Sequence, residues 1–533
     1  MSTQRTYLLL CALIALACAL VASTYSVFGH TWDEPEHLAA GIALLDTGEY
    51  PYDVQHPPLA RIAMAIGPYL AGARPQGNAG PSGEEEGRDI LYGNSYDRYL
   101  TLARIGMLPF LVLLLVATFL WAKRTFDSPT ALLSAALVVA TPVVIGHAAV
   151  AALDIPMVGT TMLALYLLVR WFDAPTLLRA SAFGIAAGVA AATKLSAIPF
   201  IGCVALIWTA AWIGSTQFHR SAVPVLPAGQ TPARFAAFAV VAAVAAFGTL
   251  MLCYGFGTAP LSASLPIPVP VGIPRFIDSL VALTEHNNAG HLSYFMGELR
   301  RSGWWNFYVV ALAVKTPLPL LLLALTGSVW LLWRGVRERN WLLSAPVLAA
   351  IAILMFCSVF SHINIGVRHV LVLYPLFAIV AAALVADLWR RIHSKTARVI
   401  TIALLGWHVA HAAIAHPDYL ADFNELAGTH PEEILIDSDL DWGQDLRRLK
   451  AALRERKIDR VSIVYRGSAD LERENIPVAY TQLWPQQRAT GWIAVGLLAK
   501  ATGDEGRGYT WLNEHTPMAR IGKSIDLYFI EEK

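Results

Sequence analysis

The sequence predicts an all-α polytopic membrane protein of about eleven transmembrane helices, followed by a small C-terminal α/β domain. Three observations carry that expectation. Of the 533 residues 56% are hydrophobic and only 15% are charged, whereas a soluble domain has about 25% charged residues. Apolar runs recur along the chain, most of them near the roughly 20 residues that a helix needs to cross a hydrocarbon core. The long stretch 417–533 returns to a mixed polar composition.

The spans fall near residues 7–28, 101–121, 130–148, 155–170, 180–193, 196–214, 235–256, 311–333, 341–360, 369–389 and 399–416. The first follows Arg5 as a secretory signal would. It outruns the roughly 7–15 apolar residues of a signal core, and is expected to remain as an anchor. The fifth is too short to cross alone unless the bilayer thins or the helix packs against protein. Cys11, Cys18, Cys203, Cys253 and Cys357 all lie inside apolar runs without CxxC spacing and read as small core hydrophobes. The formal net charge of +1 gives no reason to expect a nucleic-acid partner.

Basic residues near span ends set the expected orientation. With a cytoplasmic N-terminus, the inner loops carry Arg5, Lys123, Arg124, Arg170, Arg179, Arg220, Arg234, Arg334, Arg337, Arg339, Arg390, Arg391, Lys395 and Arg398. The outer loops are then mixed or acidic. Three regions lie outside in this scheme: a loop over 29–100, a loop over 257–303 and the tail 417–533. In the first loop, prolines break any long helix, but Pro35 to Asp46 is expected to form a short helix at the interface. In the tail, Ile434 to Ile436, Arg460 to Tyr465, Trp492 to Leu498 and Ile525 to Ile530 read as strands, and Asp445 to Lys457 as a helix. The transmembrane part, 1–416, and the tail are expected to be separate domains.

Chemistry is expected on the first outer loop, in Thr31-Trp32-Asp33-Glu34-Pro35-Glu36-His37 and His56-Pro57-Pro58-Leu59-Ala60-Arg61. Ionisable groups beside a membrane are costly unless they are solvated, paired or used. Adjacent carboxylates such as Asp33 and Glu34 raise one another's pKa, which suits a group that must take a proton near neutral pH; the bland alternative is an acidic helix N-terminus. The prolines after His56 make a rigid turn that holds His56 and Arg61, or simply start a helix. Asp154, in Leu153-Asp154-Ile155-Pro156, is a second acidic candidate on the same face, or a cap for the helix that follows. Lys194 interrupts a long apolar stretch, and Arg368 lies in a second basic group on that side. Together they have the charge to hold a phosphate, although either alone is equally suited to reach lipid headgroups. The loop histidines His56, His286, His291 and His362 lack regular metal-ligand spacing. No GxSxG, P-loop or GxGxxG occurs, and no cofactor is expected.

At these residues the chain resembles the GT-C membrane glycosyltransferases, in particular the protein O-mannosyltransferase-like and aminoarabinose-transferase-like groups. The motifs that carry the resemblance are Asp33-Glu34, His56-Pro57-Pro58-Leu59 with Arg61 where mannosyltransferases have Lys, and Asp154 before Ile155-Pro156. Lys194 and the run Arg368-His369-Val370-Leu371 to Tyr374-Pro375 add to it. In the tail, Phe423 to Gly428 and Asp437 to Leu446 are similar to stretches of many bacterial members, with Asp439 where Asn is expected. The chain lacks the large lumenal β-trefoil insertion of the eukaryotic mannosyltransferases.

The resemblance implies an inverting transferase at the outer face of a bacterial inner membrane. Its donor is a polyprenyl-phosphate-linked sugar and its acceptor an envelope glycan, a lipid or a protein. It implies that Asp33 deprotonates the acceptor and that Glu34 orients the acceptor or tunes Asp33. Lys194, Arg368, Arg61 and His56 then fall to the donor phosphate. The alternative function is a lipid or solute transporter or flippase. That reading predicts inverted repeats and interrupted helices in two halves, whereas the sequence shows no such symmetry.

Overall fold

A computed structural model describes residues 2–77, 83–93, 95–217, 232–262, 264–391 and 394–532; Arg220 falls outside them. Among the described residues, eight helices are long and apolar enough to cross a membrane: Thr3–Ala22, Tyr96–Thr125, Asp154–Asp173, Ala233–Cys253, Leu318–Arg337, Trp341–Phe360, Leu373–Arg391 and Lys395–Ala415. Ser128–Val139 and Pro142–Ala148 make a ninth that bends by 67°. Thr141 and Pro142 supply the break, because proline has no N–H to continue the ladder. Two shorter apolar helices, Leu177–Thr193 and Ala197–Ile213, fill the remaining places in the expected order. The chain is an integral multi-pass membrane protein.

The short helix Leu177–Thr193 does pack against protein. Gly184 and Gly188 lie so close to the helix Pro232–Cys253 that a Cβ on either would meet the carbonyl oxygens of Ala242 and Ala246 at 2.2 and 2.4 Å. Small residues four apart let two helices approach to this distance. The contact fixes the end of the first helix, and Lys194 follows directly.

The helix expected over Pro35–Asp46 is present as Glu34–Thr47, but it does not lie on a surface. Its residues from Leu38 to Ala43 are buried in a core shared with Ala60, Met64, Ile90, Leu91 and Tyr99. The first loop is thus a packed layer of helices, Glu34–Thr47, Pro58–Leu70 and Glu84–Gly93, set against the end of the membrane-spanning bundle. The loop after Cys253 adds two small hairpins, β1 (Thr258–Pro260) with β2 (Pro268–Pro270) and β3 (Ser293–Phe295) with β4 (Glu298–Arg300), around the helix Gly272–Ala289.

The tail closes this side. A five-stranded sheet is formed by β5 (Arg460–Val464), β6 (Ala479–Gln482), β7 (Gly491–Gly496), β8 (Ala519–Ile521) and β9 (Ile525–Ile530), in the order β6-β5-β7-β9-β8. The pairs β5–β6 and β5–β7 are parallel; β7–β9 and β8–β9 are antiparallel. The helix Leu446–Glu455 covers one face through Leu446, Leu449 and Leu453. Tyr509, Trp511 and Leu512 cover the other. The expected strand at Ile434–Ile436 is not one. Leu435 is buried against the membrane-spanning part, Ile436 is buried beside Trp32 of the first loop and Leu440, Leu497 and Leu498 of the tail, and the carbonyl of Ile434 accepts the N–H of Met296 at 3.0 Å. That apolar triplet docks the tail instead of joining its sheet.

Candidate active site

Four elements bring four charged side chains into one row on the tail side. Asp33 stands just before the helix Glu34–Thr47, Asp154 begins Asp154–Asp173, Lys194 follows Leu177–Thr193, and Arg368 sits in the 3₁₀ turn Val367–Val370. Arg368 Nη1 donates to Asp33 Oδ2 at 2.6 Å and lies 3.9 Å from Asp154 Oδ2. Lys194 Nζ donates to Asp154 Oδ1 at 2.7 Å. The signs alternate along the row, so the four groups neutralise one another. The Asp33 side chain keeps 27% of its surface exposed, Lys194 15% and Arg368 9%, while Asp154 keeps 1%. The row opens to solvent at Asp33 and is sealed at Asp154.

Burial works against the charge on Arg368, but the carboxylates of Asp33 and Asp154 more than offset it and hold its pKa above the usual arginine value. Its Nε is buried with no hydrogen-bond partner among the described residues. A buried donor without a partner is expensive, and here it lies beside a second cation, Lys194. Two cations with donors to spare suit an anionic oxygen ligand, and a partly exposed carboxylate beside them suits proton transfer.

Glu34, adjacent in sequence to Asp33, has a different task. Its carboxylate is 1% exposed and takes two N–H bonds at 2.9 Å from Arg104, one from the backbone of Ala151 at 2.7 Å and one from Thr31 at 2.7 Å. Burial alone would raise its pKa, yet Arg104 and these N–H donors hold it below the normal value. With its oxygens occupied, Glu34 anchors the loop and leaves Asp33 facing the opening. The expectation that Glu34 contacts an acceptor finds no open lone pair here.

Arg61 is committed through its terminal nitrogens, and its Nε, though it lacks a partner among the described residues, is sealed from any opening. The side chain is fully buried and donates to the Tyr50 hydroxyl at 2.7 Å, to the carbonyls of Tyr52 and Asp53 at 3.3 and 2.8 Å, and to the Asp53 carboxylate. It also lies 3.1 Å from His37 Nδ1. These contacts lock the turn that contains the two prolines. The expectation that Arg61 binds phosphate therefore does not fit this geometry. His56 is beside the row, but burial lowers its pKa to about 4, with Arg61 and Lys194 adding to the effect. It is neutral at pH 7 and brings no positive charge to a phosphate. Lys194 and Arg368 remain as the two available cations.

Arg104 and Asp53 had not stood out in the sequence, whereas Glu36 and Asp437 had been noted only as parts of longer motifs. Arg104 and Asp53 are the partners of Glu34 and Arg61, but nothing local marks either as a partner. Glu36, one helical turn from Asp33, has a pKa raised to about 8, first by burial and then by Asp53, Asp33 and Glu84. Asp437 reaches the row from the tail, and burial raises its pKa to about 6 despite the proximity of Arg368.

Residues 48–225, a stretch that includes His56, Arg61, Asp154 and Lys194, match the model of the family described as dolichyl-phosphate-mannose-protein mannosyltransferase. The match bears out the resemblance to membrane glycosyltransferases of this kind. No curated protein matches the chain. Among solved structures, ArnT from Cupriavidus metallidurans bound to undecaprenyl phosphate is 13% identical with a TM-score of 0.48, over 99% of this chain and 98% of that one. The archaeal oligosaccharyltransferase AglB from Archaeoglobus fulgidus, in complex with an inhibitory peptide and a dolichol-phosphate, is 13% identical with a TM-score of 0.43, over 78% and 56%. The S. cerevisiae protein O-mannosyltransferase Pmt1-Pmt2 complex bound to the sugar donor is 18% identical with a TM-score of 0.36, over 48% and 33%.

Proposed function

We propose that this chain is a GT-C type membrane glycosyltransferase that moves a sugar from a polyprenyl-phosphate carrier to a hydroxyl group on an envelope glycan, lipid or protein. The family match supports the class of reaction. The observation that carries the site assignment is the alternating row Asp33, Arg368, Asp154, Lys194, open at Asp33.

In this reading the carrier phosphate lies against Lys194 and Arg368. The acceptor oxygen attacks the anomeric carbon from the opposite face, and the Asp33 carboxylate takes its proton. The bond from the anomeric carbon to the phosphate oxygen breaks, and its electron pair leaves with the polyprenyl phosphate, whose new negative charge meets the two cations. One displacement inverts the anomeric centre. Asp154 does not touch the reacting atoms; it holds both cations in place and neutralises them before the donor arrives. Glu34 and Arg61 keep the first loop rigid, so that Asp33 is held relative to the row.

The tail, taken as a second domain over 417–533, lies on the same side as the row. The basic residues at the opposite span ends support an extracytoplasmic position for that side and a cytoplasmic N-terminus. The test is to supply purified protein in nanodiscs with polyprenyl-phosphate sugars and a crude envelope acceptor. Sugar-dependent release of polyprenyl phosphate, with an inverted linkage in the product, supports the proposal. A retained linkage would rule out the single displacement, and lipid translocation without sugar transfer would favour the flippase.

A further inference from the structure

The segment Asp437–Asp445 belongs to the tail by sequence, yet it forms a wall of the charged row. Trp442 is 2% exposed, and its ring lies over the Arg368 guanidinium, 4.4 Å from Cζ to the ring centroid. Its backbone carbonyl accepts the N–H of Trp32 at 3.0 Å, and Trp32 directly precedes Asp33. One tail residue therefore touches both sides of the Asp33–Arg368 pair. The rest of the segment fastens it. The Asp439 carboxylate accepts the N–H of Val367 at 3.0 Å, Ser438 Oγ donates to the carbonyl of Ile365 at 2.6 Å, and Lys315 Nζ donates to the Asp439 carbonyl at 2.7 Å. Gly366 between them has φ +152°, and a Cβ there would lie 2.3 Å from Ser438 Oγ. Gln444 rigidifies the turn itself, accepting the Trp442 N–H at 2.8 Å and donating to the Leu440 carbonyl at 2.8 Å.

An aromatic face stabilises a guanidinium without accepting a hydrogen bond from it. A carboxylate in the same place would consume donors and compete with an incoming anion. The guanidinium is thus held at Asp33 by Nη1 and by the ring, while Nε is left without a partner.

We propose that the strap Asp437–Gln444 is a working part of the site and that Trp442 is a positioning residue for Arg368, fixing its charge while leaving its Nε–H free for the carrier phosphate. The phosphate rests on the glycosyl-transfer reading; the positioning of Arg368 does not. The strap makes the tail part of the catalytic centre as well as any platform for an acceptor.

Arginine labelling with phenylglyoxal, mapped by mass spectrometry on the full-length protein in nanodiscs, separates the two. Trp442→Phe keeps an aromatic face and is expected to label at Arg368 within about twofold of wild type. Trp442→Met keeps bulk without the face and is expected to label roughly tenfold faster at Arg368, with a comparable rise in KM for the donor. The buried Arg61 and Arg104 report on folding and should stay protected in both variants. Equal labelling of Arg368 in wild type, Phe and Met variants overturns the proposal, whatever the activity. Should the Met variant unfold, wild-type protein still decides. Added undecaprenyl phosphate is expected to slow labelling of Arg368, and a wild type that transfers sugar without that protection overturns the proposal. A wild type that transfers no sugar overturns the functional reading instead, while the labelling of the variants still decides the positioning.

Discussion

Replacing Glu34 by Gln keeps the shape of the side chain and removes its charge, which leaves Arg104 buried opposite a neutral group. Both side chains are 1% exposed and meet through two bonds of 2.9 Å. Two unit charges about 4 Å apart attract by about 4 kcal/mol at an effective dielectric of about 20, and removing one partner of a buried pair typically costs about 3–5 kcal/mol. Gln also turns an NH₂ group toward the N–H of Ala151 or Thr31, where Glu34 only accepted. The expected loss is about 3–5 kcal/mol of stability, read by denaturant unfolding of the protein in detergent micelles. The companion variant Arg104→Met should be equally damaging, and the double variant Glu34→Gln/Arg104→Met less so than either single change predicts. The sign of the pH dependence follows from the depressed pKa of Glu34. Its contribution is fully present above the unfolded value of about 4.3 and is lost as pH falls through the lower folded value. A Glu34→Gln protein with unchanged stability and abolished turnover would refute this reasoning, because it would mean that the carboxylate acts on substrate and does not anchor the loop.

On the proposed reading, Lys194→Met removes one of the two cations that would face the leaving phosphate, and it should lower turnover by about 10²–10³ in a polyprenyl-phosphate release assay. Because it also leaves Asp154 paired only with the more distant Arg368, the double variant Lys194→Met/Asp154→Asn should be more stable than Lys194→Met alone. Glu36 holds its proton up to about pH 8 in the folded protein, while an unfolded Glu releases it near pH 4.3, so wild-type stability should fall as pH rises between those values. Glu36→Gln should flatten that fall in unfolding measurements from pH 5 to pH 9, and an unchanged slope would count against the burial of Glu36. Gly366→Ala should shift the turn that carries Arg368, since the new methyl would press on Ser438. We expect a loss of about 1–3 kcal/mol and a raised KM for the donor.

Much of the architecture was legible because burial in a membrane leaves long, uniform signals. The eleven apolar runs reappear as eight spanning helices, one bent pair and two shorter helices. The amphipathic helix Leu446–Glu455 and the strands β5, β7 and β9 of the tail were visible because their patterns are contained within one element. Pairings across the chain were not legible. Glu34 meets Arg104 seventy residues away, and Asp33 meets Arg368 at a separation of 335. An aspartate followed by a glutamate looks like one acidic feature in sequence. In space, the helix that starts between them sends one carboxylate into the protein and the other to the opening. Arg61 misled for a related reason, because its partner Asp53 sits in a proline-rich turn whose closure cannot be read from composition. Ile434–Ile436 has the β-branched pattern of a buried strand, and Leu435 and Ile436 are indeed buried, but Leu435 packs on the membrane-spanning part and Ile436 between Trp32 and the tail's own Leu497 and Leu498, with no ladder formed.

The central claim is that Asp33 takes the acceptor's proton while Lys194 and Arg368 hold the departing phosphate. Asp33→Asn tests it most directly, with undecaprenyl phosphate binding and sugar-dependent phosphate release measured on the same preparation. The account predicts that the variant folds and still binds undecaprenyl phosphate, since both cations remain, while release falls at least a hundredfold. Release at the wild-type rate from the Asp33→Asn protein would contradict it and remove Asp33 from the proton transfer.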